Sequence, residues 1–101
     1  MKIYIAGPIS GMPGGNKPAF EAAVMRIKSA GHEAVNPHDL YQGQVWADAM
    51  RCCLAALMTC DAIYPLVGWS DSRGAMLEMR CASAIGLDVW TGETNDPAVT
   101  A

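Results

Sequence analysis

The chain lacks any excess of positive charge. Its 101 residues include 7 Lys and Arg against 10 Asp and Glu, which gives a net charge of −3. A nucleic-acid polymer or an anionic membrane would be expected to meet a basic patch, so neither is predicted as a partner. Small anionic ligands stay compatible with this charge, because backbone amides bind them without net positive charge.

Metal-binding and redox patterns are missing as well. The four cysteines form no Cys-x-x-Cys pair, and no His lies at zinc-finger spacing from them. Three of them fall in predicted helices among Ala, Leu and Met, which is typical of small apolar side chains in a reducing compartment. We therefore expect neither a metal nor an organic cofactor. The cysteines are Cys52, Cys53, Cys60 and Cys81.

Long apolar runs are absent too. None approaches the roughly 20 residues of a membrane span. Met1-Lys2 leads directly into a short strand and then Gly7-Pro8, unlike a signal peptide. The sequence predicts a soluble, cytoplasmic, single domain over residues 1–101, with a flexible tail at 92–101.

Apolar runs and helical stripes alternate along the chain. The four runs that predict strands are 2–6, 32–37, 61–67 and 87–91. The three segments that predict helices are about 18–30, 45–59 and 72–86. This βαβαβαβ order predicts an α/β three-layer sandwich with a small parallel sheet, flavodoxin- or Rossmann-like, of order about 2-1-3-4. A sheet of four strands is small for this class, so we expect another subunit to cover an edge or helix face.

One acidic residue stands out in the third predicted helix. Glu78 is the sixth helical position after the candidate N-cap Ser72, too deep for a capping box. Its neighbours at helical spacing are small and uncharged, so a ligand has room beside the carboxylate. The alternative is an ordinary solvated Glu, and Arg73 on the same helix is predicted to be solvated. The small neighbours are Gly74, Ala75, Cys81 and Ala82.

Three loops leave the predicted carboxyl ends of the strands, where open parallel sheets bind ligands. They span 7–16, 36–44 and 68–72. The first contains four glycines and Ser10, but matches neither a Walker loop nor GxGxxG. It is therefore a weak indication of phosphate binding, through Gly11 and Ser10, and a flexible connection is the alternative. Gly7 is the stronger signal, because the backbone must come close directly after the strand.

Four further side chains are candidates for the site, and three of them also have a structural interpretation. Tyr4 can bury its ring in the first strand and position a carboxylate with its hydroxyl. Asp61 either caps a helix–strand junction or contacts a ligand, and His38 is either a surface residue or a pocket residue. Trp69 either stacks on a base or covers the core, whereas Trp46 is predicted to be core.

The segments IYIAGPISG and CDAIYPLVGWSDSRGAMLE, followed by a helix of small residues, resemble the nucleoside 2-deoxyribosyltransferase-like superfamily. The closest resemblance is to its short DUF4406 branch, found in phages and bacteria. It covers residues 1–91, and the most specific piece is W-x-x-S-x-G-A-x-x-E, from Trp69 to Glu78. The resemblance implies a small flavodoxin- or Rossmann-like sandwich that forms homodimers or higher oligomers. Characterised members cleave or transfer the N-glycosidic bond of 2′-deoxynucleosides or their 5′-monophosphates.

The resemblance also implies roles for individual residues. Glu78 matches the nucleophile that attacks the anomeric carbon of the sugar, and Tyr4 matches the tyrosine that hydrogen-bonds near it. Ser72 stands where monophosphate hydrolases have a serine that helps hold the 5′-phosphate and transferases have an aspartate. With Gly74 at a helix N-terminus, this indicates a nucleotide, and hydrolysis rather than base exchange.

The match departs from the superfamily at Cys53, where many relatives have an aspartate that handles the leaving base. A thiol does not replace a carboxylic acid well, so the base would rely on water, His38 or a group from another subunit. Three hypotheses remain open. The protein is an enzyme acting on a small-molecule nucleotide or nucleoside, a non-catalytic nucleotide-binding or sensor module, or a structural subunit with a vestigial pocket.

Overall fold

The computed structural model describes residues 1–40 and 43–91, so the predicted flexible tail at 92–101 lies outside the described residues. All seven predicted elements are present. The strands are β1 (Lys2–Ala6), β2 (Glu33–Val35), β3 (Ala62–Pro65) and β4 (Asp88–Val89). The helices are α1 (Lys17–Ser29), α2 (Trp46–Leu57) and α3 (Arg73–Ala84).

The strands form one parallel sheet of order β2-β1-β3-β4, which confirms the predicted α/β class and strand order. Side chains alternate between the two faces of β1. Ile3 and Ile5 pack on the face covered by α1, whereas Tyr4 and Ala6 pack on the face covered by α2 and α3. Because helices cover both faces, β1 is buried from its second residue onward.

Several elements are shorter than predicted. The strand predicted at 61–67 ends at Pro65, which lacks the N–H needed to continue a regular ladder. The helix predicted to reach Thr59 ends at Leu57, because the Thr59 N–H bonds the carbonyl of Ala56 in a tighter turn. The longest helix has 13 residues. No helix among the described residues is long and apolar enough to cross a membrane.

The loops after β1 and β3 come into direct contact at the carboxyl edge of the sheet. Gly7 follows β1 immediately, and a Cβ built there would lie 2.9 Å from Leu66 Cβ. The Leu66 N–H also donates to the Ala6 carbonyl at 2.8 Å. The close backbone approach predicted at Gly7 is therefore real, and β1 and β3 meet where the strand order reverses.

Candidate active site

A hollow of about 150 Å³ opens at this carboxyl edge. Its walls come from the loops after β1 and β2, the first two turns of α2 and the start of α3 with the loop before it. Doubly wound sheets bind ligands in this position. The described residues that line it are Gly7, Ile9, Ser10, Pro37, Trp46, Ala49, Met50, Cys53, Asp71, Ser72, Arg73, Gly74, Ala75 and Glu78.

Glu78 is the charged side chain buried in this hollow, with 5% of its surface exposed. The Tyr4 hydroxyl, from the centre of the sheet, donates a hydrogen bond to its Oε2. No described residue donates to Oε1. A buried carboxylate usually has hydrogen-bond partners on both oxygens. Here Oε1 has no donor among the described residues, so it is available to a ligand.

Burial sets the ionisation of both partners. Removal from water raises the pKa of Glu78 to about 7, and the hydrogen bond from Tyr4 acts in the opposite direction. Burial, and then the nearby Glu78 charge, raise the pKa of Tyr4 well above its usual range. Tyr4 therefore stays a protonated donor, while Glu78 is divided between its ionised and neutral forms near neutral pH.

Small residues around Glu78 make room for the hollow. Ala75 and Ala82, three residues before and four residues after it, are buried against the sheet. A Cβ built at Gly74 would lie 3.2 Å from Met50 Sδ, so glycine lets α2 and α3 approach closely. The predicted ring of small neighbours is present, and the alternative of a solvated Glu on an outer face is wrong.

Ser72 caps α3 as predicted. Its Oγ accepts from the Ala75 N–H at 3.2 Å, and its carbonyl accepts from the Met76 N–H at 2.9 Å. The N–H groups of Arg73 and Gly74 have no backbone acceptor among the described residues, as is usual in the first turn of a helix. Two amides and the Ser72 hydroxyl hydrogen therefore remain available to an anion at the mouth of the hollow.

Two residues that line the hollow were assigned elsewhere by helical periodicity. Trp46 is half-buried rather than core, and Arg73 lies over its ring, with the guanidinium carbon 4.0 Å from the ring centroid. Each is the first residue of its helix. A side chain there points back over the preceding turn and does not follow the apolar face of the helix. The sequence contains one signal for the position of Arg73. No carboxylate lies three or four residues from it on its own helix, so it has no ion-pair partner at helical spacing.

Asp61 and Trp69 were candidates for ligand contact with a structural alternative each, and the structure places both outside this hollow. Asp61 Oδ2 accepts the Lys2 N–H at 2.8 Å, at the amino edge of the sheet and opposite the hollow. Trp69 packs against the buried cluster between the sheet and α2 and α3. Their structural interpretations, as a junction residue and a cover for the core, are the ones that the geometry supports.

His38 and Gly11 also lie outside the hollow. The His38 Nε2 hydrogen-bonds the Gly15 carbonyl at 2.8 Å, and its ring packs edge-on against Phe20 at 4.9 Å. His38 therefore joins the loops after β1 and β2, and it faces a separate shallow groove. Gly11 is exposed with φ +79°, a conformation that glycine adopts without strain.

Cys53 lines the hollow beside the acid and the tyrosine. It is buried, and its burial raises the pKa of the thiol, which stays neutral. The site therefore contains a thiol at the position where the resemblance implies an aspartate. Among residues 1–40 and 43–91, no three His, Cys, Asp or Glu side chains are grouped to hold a metal ion.

Two solved structures share this architecture. CMP N-glycosidase BcmB of Clostridium botulinum matches with a TM-score of 0.64 and 19% identity, over 88% of this chain and 66% of that one. The 2-desoxiribosyltransferase of Leishmania mexicana matches with a TM-score of 0.68 and 22% identity, over 89% of this chain and 62% of that one. The chain therefore spans less than two thirds of the length of either protein. At these identities the likeness establishes the fold.

Sequence comparison gives the family. No curated protein matches the chain. The family model DUF4406, described as a domain of unknown function, matches residues 1–91 and so includes all the strands and helices that the structure describes, together with the residues that line the hollow. The chain belongs to the DUF4406 family and has a nucleoside 2-deoxyribosyltransferase-like fold.

Proposed function

We propose that this protein hydrolyses the N-glycosidic bond of a 2′-deoxynucleoside 5′-monophosphate or a related nucleotide, with Glu78 as the nucleophile. The observation that carries the proposal is the half-satisfied carboxylate, buried at 5% exposure with Oε2 bound by Tyr4 and Oε1 unpartnered. A buried acid with a purely structural role would be expected to be fully paired. The likeness to a CMP N-glycosidase and a 2-desoxiribosyltransferase supports the same class of chemistry.

The reaction has two steps at the anomeric carbon. Oε1 of ionised Glu78 attacks this carbon, and the C–N bond breaks with its electron pair leaving on the base, which takes a proton from water. A glycosyl ester of Glu78 results. Water then attacks the same carbon, loses a proton to solvent and releases the carboxylate and the sugar phosphate. The Tyr4 hydroxyl donates to Glu78 throughout and stabilises it as the leaving group of the second step.

The walls of the hollow suit the remainder of such a substrate. The Ser72 hydroxyl and the Gly74 N–H would donate to the 5′-phosphate at the start of α3, and Gly7 and Ser10 would contact the sugar from the opposite wall. A volume of about 150 Å³ is below the ~300–1,000 Å³ usual for whole small-molecule ligands. The sugar would therefore fill the hollow, with the base nearer its open side.

A second copy of the chain is proposed to cover that open side. Val67 is 97% exposed and Val45 is 70% exposed, and both lie in loops at the carboxyl edge. Apolar side chains this exposed, at the edge of the sheet where the hollow lies, suit an interface between subunits. A homodimer or a higher homo-oligomer would thus enclose the base.

Trapping the intermediate tests the nucleophile directly. A 2′-fluoro-2′-deoxynucleotide slows the breakdown of the glycosyl ester, because fluorine disfavours the positive charge that develops on the sugar. Intact-protein mass spectrometry should show one added fluorinated sugar phosphate, and peptide mapping should locate it on Glu78. The Glu78→Gln variant is the control and should gain no mass. Base release without any adduct on Glu78 would contradict the covalent mechanism.

Replacing Tyr4 by Phe should move the acid limb of the pH profile of kcat/KM to higher pH. The Tyr4 hydrogen bond favours ionised Glu78, so its loss raises the pKa of the acid further above about 7. At about pH 6, on the acid side of that limb, kcat/KM should fall roughly tenfold or more, since hydrogen bonds to charged groups contribute about 1.5–3 kcal/mol.

Tyr64→Phe is the matched control for this change. Tyr64 lies in β3 on the opposite face of the sheet, and its hydroxyl accepts a hydrogen bond from Arg26 at 2.7 Å. Its pH profile should coincide with that of the unmodified protein. If both variants keep the original limb, Tyr4 does not tune the nucleophile.

Cys53 favours a second candidate function, a nucleotide-binding module without turnover. Its burial keeps the thiol neutral, so it supplies no carboxylic acid to a leaving base. This candidate predicts that calorimetry detects nucleotide binding while chromatography detects no released base after long incubation. Measurable base release that depends on Glu78 would exclude it.

A further inference from the structure

We infer that the stacked pair Arg73–Trp46 is the element that selects phosphorylated ligands over the corresponding nucleosides. The inference deepens the proposed function and rests on it for the nucleotide class, but it concerns binding rather than bond cleavage. It assigns a role to two side chains that line the hollow and that the proposed chemistry does not use.

The geometry of the pair fixes a cation at the entrance. Arg73 and Trp46 are the first residues of α3 and α2, and both line the hollow that contains Glu78. The guanidinium carbon lies 4.0 Å from the centroid of the Trp46 ring. Arg73 is exposed and Trp46 is half-buried, so the indole is the support and the guanidinium lies on the solvent side.

Stacking holds this cation without neutralising it. Among the described residues no carboxylate lies within ion-pair distance of Arg73, and the indole is its partner. An aromatic face contacts the plane of a guanidinium and leaves the N–H donors along its edge available. Those donors match the oxygens of a phosphate in a bidentate arrangement. A positioned guanidinium with its donors unused is suited to recognising an anion.

The N-terminus of α3 disfavours the positive charge of Arg73 unless an anion is bound there. A cation in the first turn of a helix is repelled by the partial positive charge of that end. Here the same turn presents the unpaired N–H groups of Arg73 and Gly74, so the helix end and the side chain attract negative charge together. Asp71 also lines the hollow, and its negative charge disfavours the binding of an anion. Removing the Asp71 charge should therefore strengthen anion binding, whereas removing the Arg73 charge should weaken it.

The stack is less suited to holding the base. The guanidinium occupies one face of the Trp46 ring, so a base cannot stack on that face without displacing it. A phosphate reaches the guanidinium edge and the helix N-terminus simultaneously, and leaves the sugar beside Glu78. The pair should therefore discriminate by the phosphate and respond little to the identity of the base.

Binding measurements on Arg73 variants test this selection. Calorimetry would use the four common 2′-deoxynucleoside 5′-monophosphates and the four matching nucleosides, with Glu78→Gln as the background so that no ligand is consumed. Arg73→Met should weaken monophosphate binding by roughly ten- to a hundredfold, as expected for a charged hydrogen bond. Nucleoside affinity should change by less than about twofold. Arg73→Lys should recover only part of the loss, because a point charge lacks the planar fork.

Three further variants complete the test. Arg80→Met removes the same charge from an exposed position of α3 that does not line the hollow, and it should leave both affinities unchanged. Trp46→Leu should weaken monophosphate binding by releasing the guanidinium, whereas Asp71→Asn should strengthen it. Added salt should weaken monophosphate binding less in Arg73→Met than in its parent.

The outcomes separate this inference from the proposed reaction. Base release by the unmodified protein is measured in parallel. If no base is released but monophosphates are preferred in a manner that depends on Arg73, the proposed hydrolysis is rejected and selection by the Arg73–Trp46 pair is supported. Equal losses for nucleosides and monophosphates in Arg73→Met, or no monophosphate binding at millimolar concentration, overturn the selection.

Discussion

Glu78→Gln should abolish turnover while leaving the fold intact. Gln keeps the shape of the side chain and can still accept the Tyr4 hydrogen bond, but its amide is a very weak nucleophile. Base release should fall by on the order of a thousandfold or more, which corresponds to about 4 kcal/mol of transition-state stabilisation. Chromatographic detection of free base from a panel of nucleotides measures this loss.

Glu21→Gln provides the comparison. Glu21 is an exposed carboxylate on α1, so its loss changes the net charge equally without reaching the hollow. Its rate should match that of the unmodified protein. Equal base release by all three proteins would remove Glu78 from the reaction.

The same substitution should change how stability depends on pH. The pKa of Glu78 is about 7 in the folded protein against 4.5 as the unperturbed value. Between these values the native state holds a proton that the unfolded chain has released, so raising the pH favours unfolding. The stability contributed by this group is complete below about 4.5 and is lost as pH rises through about 7. Over the whole window this amounts to about 3 kcal/mol.

Urea denaturation at about pH 5 and about pH 9 measures most of this change. Glu78→Gln cannot ionise, so its free energy of unfolding should exceed that of the parent increasingly as pH rises. Glu21→Gln should track the parent at both values, because it replaces an exposed carboxylate that does not line the hollow. A constant difference between Glu78→Gln and the parent across pH would show that the acid is not strained by its burial.

The two predictions describe one trade-off. The ionised form of Glu78, which the proposed attack on the sugar requires, is the form that the fold tolerates least. A protein selected only for stability would gain from Gln at position 78 near neutral pH. The presence of an acid at this position is therefore understandable if its chemistry is used.

The fold was predictable because local signals agreed with the global arrangement. Short apolar runs bounded by glycine and proline gave the strands, and the alternation with helices left few parallel topologies. Ser72 before a helix of small residues predicted the cap that the structure shows. The pairing of Tyr4 with Glu78 joins residues 74 positions apart, so it required a motif resemblance rather than local pattern.

The rim of the hollow was less predictable. Trp46 and Arg73 are both the first residues of their helices. At a helix start, the apolar periodicity that separates buried from exposed positions does not yet apply. For His38 and Asp61 two interpretations were open, and in the structure each satisfies a backbone group, with the Gly15 carbonyl and the Lys2 N–H as partners. Such backbone partners have no signature in the sequence, because any residue supplies them.

Tyr4 connects Glu78 to the middle of the sheet, since it belongs to a strand that is paired on both sides and is itself fully buried. The separation between β1 and α3 therefore sets the strength of the hydrogen bond to Glu78. Substitutions that alter packing between these layers, such as Ile63→Val beneath α3, would change the acidity of Glu78 without touching any ligand. If the proposed reaction holds, interior residues alone can shift the pH optimum, so relatives with identical site residues need not work best at the same pH.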